Sequence, residues 1–218
     1  MLEGSSGVSW GLVLLAVVPL SLVLVTSFIK ISVVLSLLRN ALGAPEVPST
    51  AIVLAISILL SAFVMSPVAL ATWREAQPVA AVGGAEGWDL ARVEREAPRV
   101  LEPLRAWLSR NAGAGERATF VGLGERLHRP EDRDLVAQEG WLVIVPAFVL
   151  TELKEAFIIA FIVFVPFLVV DLVVASVLLS LNMHMVSPTS LSLPFKLLLF
   201  VMIDGWQLLV QGLVLGYA

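Results

Sequence analysis

The sequence predicts an all-α membrane protein built of helical hairpins, about four long apolar helices with a small exposed helical insert. Three observations carry this. Of the 218 residues, 58% are hydrophobic and 15% charged, whereas soluble domains hold about 45–50% apolar and about 25% charged residues. The apolar residues gather in four runs long enough to cross a bilayer, which takes about 20 residues of helix. Between the second and third runs, residues 74–140 hold all but four of the fourteen basic residues, every one of them arginine, with twelve acidic residues beside them.

The first run covers residues 10–38. No Lys or Arg precedes it, and it is uncharged from 10 to 29, longer than the about 7–15 residues of a signal-peptide core. It therefore reads as a retained helix, ended by Arg39 and Asn40 with Gly43 and Pro45 as the stop. Ser32, Ser36 and Asn40 form a polar stripe along it. The second run, residues 47–73, is uncharged, with Ser49 or Thr50 as its N-cap, Pro67 near its end and a shorter stripe of Ser57 and Ser61.

The insert is punctuated by Gly83, Gly84, Gly113 and Gly115. Leu101, Leu104, Trp107 and Leu108 recur at i, i+3, i+6 and i+7, which suits a short amphipathic helix. His128 reads as a solvated residue. The third run, residues 142–181, is too long for one straight span, so Pro146 should start it and Pro166 kink it. The fourth covers residues 191–215, with Pro194 in its first turn. The chain thus divides into an N-terminal hairpin (1–73), an exposed insert (74–140) and a C-terminal hairpin (141–218). The loop carrying Arg39 is expected in the cytoplasm and the insert on the periplasmic side.

Several functions are excluded. A net charge of −4 leaves no surface to neutralise phosphates, so nucleic acid is not a partner. There is no cysteine for a disulfide, thiol nucleophile or Cys-based metal site. Gly122-Leu123-Gly124 lacks the lysine and strand of a phosphate loop, and no zinc-protease, hydrolase or calcium motif occurs. His128 and His184 lie in separate contexts. No catalytic residue, cofactor or metal site is expected, and the protein is not expected to be an enzyme.

What remains to be explained is charge inside apolar sequence: Glu152, Lys154, Glu155, Asp171, Lys196 and Asp204 interrupt the C-terminal third. At a bilayer centre each costs about 2.5–3.5 kcal/mol or more, so such groups face protein or water. Lys196, Asp204, Gln207 and Gln211 are spaced to share one face of the last helix. Helix–helix glue and a hydrated pathway both fit that pattern. Asp171, five residues after Pro166, suits either a transporter's proton relay or a buried partner for Lys30 or Lys196. Met183-His184-Met185 falls between the third and fourth runs, where adaptable methionines suit a deformable seal, and an ordinary interfacial turn fits as well.

Two long blocks carry a family likeness. PLSLVLVTSFIKISVVLSLLRNALGAPEVP (residues 19–48) and ELKEAFIIAFIVFVPFLVVDLVVASVLLSLNMHMVSPTSLSLPFKLLLFVMIDGWQLLV (residues 152–210), with Met65-Ser66-Pro67-Val68 between them, resemble the FliP/SctR family of type III secretion export-gate proteins. Phe28-Ile29-Lys30-Ile31-Ser32 is more similar to the virulence (injectisome) branch than to the flagellar one. The resemblance implies a bacterial inner-membrane subunit that assembles as a pentamer with sister proteins of the SctS and SctT type. That complex would be the entry portal for unfolded secreted proteins, its helices largely lifted out of the bilayer plane.

On that basis Lys30, Arg39, Asp171, Lys196, Asp204, Gln207 and Gln211 would be polar contacts within the assembly. Met183, His184 and Met185 would form the pore constriction, a gasket in which His184 stands where the family usually has methionine. The alternative is a self-contained ion-coupled transporter or channel that uses Asp171 and the Lys196 to Gln211 face. Imidazole titrates near pH 6.5, so a ring of such histidines would make closure pH-sensitive. His184→Met is then expected to flatten the pH dependence of ion leak and secretion from mildly acid to neutral pH; an unchanged profile contradicts the hypothesis.

Overall fold

The computed structural model describes residues 23–86, 90–129, 137 and 139–218, and among them all regular structure is helical. Seven helices follow one another: α1 (Phe28–Ala41), α2 (Thr50–Glu86), α3 (Leu90–Asn111), α4 (Ala114–Leu127), α5 (Trp141–Ser180), α6 (Pro188–Met202) and α7 (Gly205–Leu215). The expected all-helical architecture is present. The chain divides into two compact units, one around Met65–Glu152 and one made of Phe28–Val64 with Leu153–Ala218.

In the second of these units α1 supplies the buried stripe. Lys30, Ile31, Val34, Leu35, Leu38 and Ala41 are all buried, the spacing of one helical face. Around it pack Val53 and Leu60 of α2, Ala156 and Phe167 of α5, Phe200 of α6, and Leu209 and Leu213 of α7. Phe200 stands 6.4 Å from the Phe167 ring and meets Trp206 edge-on at 5.4 Å. Ser57, wholly buried, gives its hydroxyl proton to the carbonyl of Val53 in its own helix at 2.8 Å.

Helix ends follow local chemistry. The Leu42 N–H bonds to the Leu38 carbonyl at 3.0 Å and Gly43 takes φ 79°, closing α1 with the left-handed residue that glycine permits. The Ser49 carbonyl accepts from the Val53 N–H at 3.1 Å, which puts Ser49 at the N-cap of α2. α5 ends with Asn182 at φ 56°, the Met183 N–H on the Leu178 carbonyl at 3.0 Å and the Asn182 N–H on that of Leu179 at 3.1 Å. That is a Schellman closure with Asn in place of Gly.

Three sequence-based boundaries are corrected. The first run is not one helix: a turn at Val25–Ser27 separates Val23 and Leu24 from α1. There the Thr26 hydroxyl donates to the Val23 carbonyl at 3.5 Å. Residues 10–22 of that run lie outside the described residues. α2 continues past Trp73 to Glu86 through Pro67 and Pro78, because each proline removes only one backbone bond from a 37-residue helix. The fourth run starts at Pro188, after N-cap Ser187, so Pro194 lies inside α6. It also breaks: α7 leaves α6 at 61°, with Asp204 in the left-handed region at φ 50°, a conformation that short polar side chains tolerate. Lys196 therefore does not share one helical face with Gln207 and Gln211.

The other unit contains the insert. Trp107 and Phe148 pack with ring centroids 5.2 Å apart, and Leu108, Ala112, Val143, Ile144 and Ala147 are buried. The Thr151 hydroxyl accepts from the Gly113 N–H at 2.9 Å and donates to the Ala147 carbonyl at 2.8 Å, serving the start of α4 and its own helix together. Arg105 bridges Glu102 and Glu139 at 2.8 and 3.1 Å. The hydrogen bond from Arg105 holds the Glu102 carboxyl below its ordinary range, although an exposed pair of this kind adds little stability. His128 caps α4, its backbone N–H on the Gly124 carbonyl at 2.9 Å and its ring Nδ1 3.1 Å from the same oxygen.

Among the described residues two helices are long and apolar enough to cross a membrane, Thr50–Val79 and Trp141–Ser180, and the bent α6–α7 pair forms a third, broken candidate. α5 starts at Trp141, not at the expected Pro146, and continues as one helix through Pro166 to Ser180. Of its most apolar stretch only 6% is buried within the chain.

The bend generates a prediction. A Cβ on Gly205 would lie 2.3 Å from the buried Phe200 ring, whereas one on Gly212 would meet nothing within 4 Å. Overpacking costs about 1–3 kcal/mol, against a helix-propensity gain of about 1 kcal/mol for Gly→Ala. Gly205→Ala is expected to lower the thermal midpoint of the detergent-solubilised chain, and Gly212→Ala to leave it unchanged or raise it.

Candidate functional site

Charge and helix ends meet at Lys196. This side chain is buried, with its ammonium 2.7 Å from Asp171 Oδ2 and donating to the Ala41 carbonyl at 3.1 Å. Asp171 is satisfied on its other oxygen by Ser192, one turn before Lys196, whose hydroxyl donates at 2.5 Å. The Ala41 carbonyl belongs to the last turn of α1, where carbonyls lack helical partners and carry partial negative charge. One cation thus joins α6, α5 and the C-terminal end of α1. Gly43 completes the setting: a Cβ there would stand 3.7 Å from Lys196 Nζ.

A second cation is handled in the same way. Lys30, 2% exposed, stands 2.7 Å from Glu155 Oε2 and 4.0 Å from the centre of the Tyr217 ring. The ring's negative face supplements a carboxylate that is itself half exposed. The choice between the two lysines is therefore made: Asp171 of α5 serves Lys196, and Glu155 of the same helix serves Lys30. Glu155, Ser192, the Ala41 carbonyl and Tyr217 are the partners that sequence reasoning did not assign. Tyr217 carries no signal in the sequence, because a cation–π contact depends on where the chain's end packs. Ser192 could have been found from its i, i+4 spacing to Lys196.

Arg39 does a different task. Its Nη1 donates to Thr50 Oγ1 at 3.0 Å and lies 3.4 Å from the Pro48 carbonyl, tying the end of α1 to the start of α2. Its Nε is buried without a hydrogen-bond partner among the described residues. Asp204, Gln207 and Gln211 are brought together with none of these; all three are exposed on the bend and on α7. Asp204 acts through its backbone, accepting the Leu208 N–H at 3.1 Å as the N-cap of α7.

The Met183-His184-Met185 turn lies between the Schellman end of α5 and the N-cap of α6. All three residues are exposed, Met185 by 98%. Met185 thus stands in the open at the tip between two apolar helices. Among the described residues no three His, Cys, Asp or Glu side chains gather in a group able to hold a metal.

A model of the FliP family matches residues 12–213, which includes both buried lysines, their carboxylates and the methionine turn. The chain is 40% identical over 206 residues to the Yop proteins translocation protein R of Yersinia pestis, covering 94% of this chain and 92% of that protein. It is 37% identical over 207 residues to the virulence protein YscR of Salmonella typhimurium, covering 95% and 94%. It is also 43% identical over 206 residues to the flagellar biosynthetic protein FliP of Pectobacterium carotovorum subsp. carotovorum, covering 93% of this chain and 75% of that protein.

Proposed function

We propose a function from the premise that the chain belongs to the FliP family. It is a membrane component of a type III secretion apparatus, in line with relatives named as translocation, secretion and virulence proteins. The finer reading is a core pore-forming subunit of the export apparatus, part of the inner-membrane entry portal for secreted proteins. In that reading it assembles as a homo-oligomer, a pentamer, with sister subunits of the SctS and SctT type, and the insert faces the periplasm. Met183, His184 and Met185 line the constriction through which unfolded substrates pass.

The single observation that supports this beyond kinship is α5. At 40 residues it is about 60 Å long, twice the roughly 30 Å of a bilayer's hydrocarbon. Phe157, Ile158, Phe161, Ile162, Leu168, Val169, Leu172 and Val173 are all exposed along it. Its first turns are covered by the chain itself through Val143, Ile144, Ala147 and Phe148. The apolar surface beyond them is left bare on several sides, and a subunit packed among neighbours uses such a surface. The buried polar ties fit the same reading, because Lys30 and Lys196 are neutralised within the chain and need no substrate ion.

Extraction in mild detergent tests this. The chain is expected to elute with other small membrane proteins in a complex several times its own 23.4 kDa. Because the chain has no cysteine, Met185→Cys introduces a single thiol, expected to cross-link to a neighbouring copy or to a stalled secreted substrate. A monodisperse monomer that binds a small ligand, with no cross-link through position 185, contradicts the proposal and favours the transporter.

A further inference from the structure

We propose that Met183, His184 and Met185 form a binding site for a soft monovalent cation, Cu(I) or Ag(I). The donor set is the first argument. Two thioether sulfurs and one imidazole nitrogen are neutral, polarizable ligands, the combination that selects soft copper and silver ions over magnesium, calcium or manganese. Hard ions require carboxylate or carbonyl oxygens, and the sequence between Asp171 and Asp204 has no acidic side chain at all. On neutral ligands the ion keeps its single positive charge, which the exposed turn leaves in contact with solvent.

Geometry is the second argument. The Val186 N–H points back to the Met183 carbonyl at 3.5 Å, so residues 183–186 make one turn with His184 and Met185 at its corner. That turn is held at both ends. On one side stand the Asn182 left-handed closure and the Met183 N–H on the Leu178 carbonyl; on the other, N-cap Ser187 with Pro188 in the first turn of α6. The backbone is therefore fixed before any ion arrives, which lowers the ordering cost of binding. Met, unbranched with three rotatable bonds, supplies the freedom to close two sulfurs on one ion. Exposure is the third argument: at 43% and 98%, Met183 and Met185 are open to an ion from solvent. The site is complete within one chain and holds whether or not the turn lines a pore.

The test uses the purified full-length protein in detergent under reducing, oxygen-free conditions, with Cu(I) distributed against a chromophoric Cu(I) chelator. One Cu(I) per chain is expected. Met183→Leu with Met185→Leu, nearly isosteric at exposed positions, should weaken binding at least about tenfold, and His184→Ala should do the same. Met65→Leu with Met202→Leu, which removes two methionines outside the turn, should leave it unchanged. As a second readout, Ag(I) should protect Met183 and Met185, but not Met202, from sulfoxide formation by hydrogen peroxide. Binding that survives the Met183→Leu/Met185→Leu pair, or a stoichiometry well below one, overturns the proposal.

Discussion

Two lysines are buried in an otherwise apolar bundle, and the unit that holds them is arranged to make this tolerable. Moving an ammonium out of water costs several kcal/mol even after the protein relaxes, and a single well-placed carboxylate with further hydrogen bonds is needed to offset it. Lys196 receives Asp171 and the Ala41 carbonyl, and Asp171 is in turn completed by Ser192. Each of these partners belongs to a different place in the chain: α5, the end of α1, and α6. Satisfying one charge therefore fixes three elements against each other. Hydrophobic contact alone would not do so, since Val, Leu and Ile surfaces slide without a strong preference for register.

The remaining features of the unit are consistent with that constraint. α1 must end where Lys196 can reach its last carbonyls, and Gly43 in the left-handed region ends it there. α6 must stop before it carries Phe200 past Phe167, and the bend at Asp204 turns α7 so that Leu209 and Leu213 reach the core. Tyr217, beyond α7, then arrives over Lys30. Of the charges set in apolar helices, Lys196 with Asp171 and Lys30 with Glu155 are paired within the chain, while the apolar faces of α2 and α5 are left uncovered. This division, polar ties inside and greasy faces outside, is what a subunit needs if it is to fold first and then pack against neighbours.

Much of this was legible in the sequence. Composition and run length gave the helices, and Gly43, Pro45 and Ser49 marked their ends correctly. The family likeness was readable from two long blocks. Three things were not. The break at Val25–Ser27 falls inside an uncharged apolar run whose composition continues across it. The bend at Asp204 depends on a left-handed residue that Asp adopts only when packing demands it, here the close approach of Phe200 to Gly205. The stripe of Lys196, Asp204, Gln207 and Gln211 failed for that reason, because periodicity assumes a continuous helix. Pairing was legible only as a choice: Asp171 had two candidate lysines, and nothing in a linear pattern reveals that Glu155 takes one of them.

The central claim is that the Asp171–Lys196 pair locks α5, α6 and the end of α1 together, and a double-mutant cycle tests it most directly. Thermal stability of the detergent-solubilised protein would be compared for Asp171→Leu, Lys196→Met and the two combined. Asp171→Leu is predicted to cost about 3–5 kcal/mol, because it leaves Lys196 buried without its carboxylate, Lys196→Met to cost less because Asp171 is 30% exposed and keeps Ser192, and the combined variant to recover a large part of the Asp171→Leu loss. Additive losses, or a Lys196→Met variant as stable as the parent, would contradict the claim.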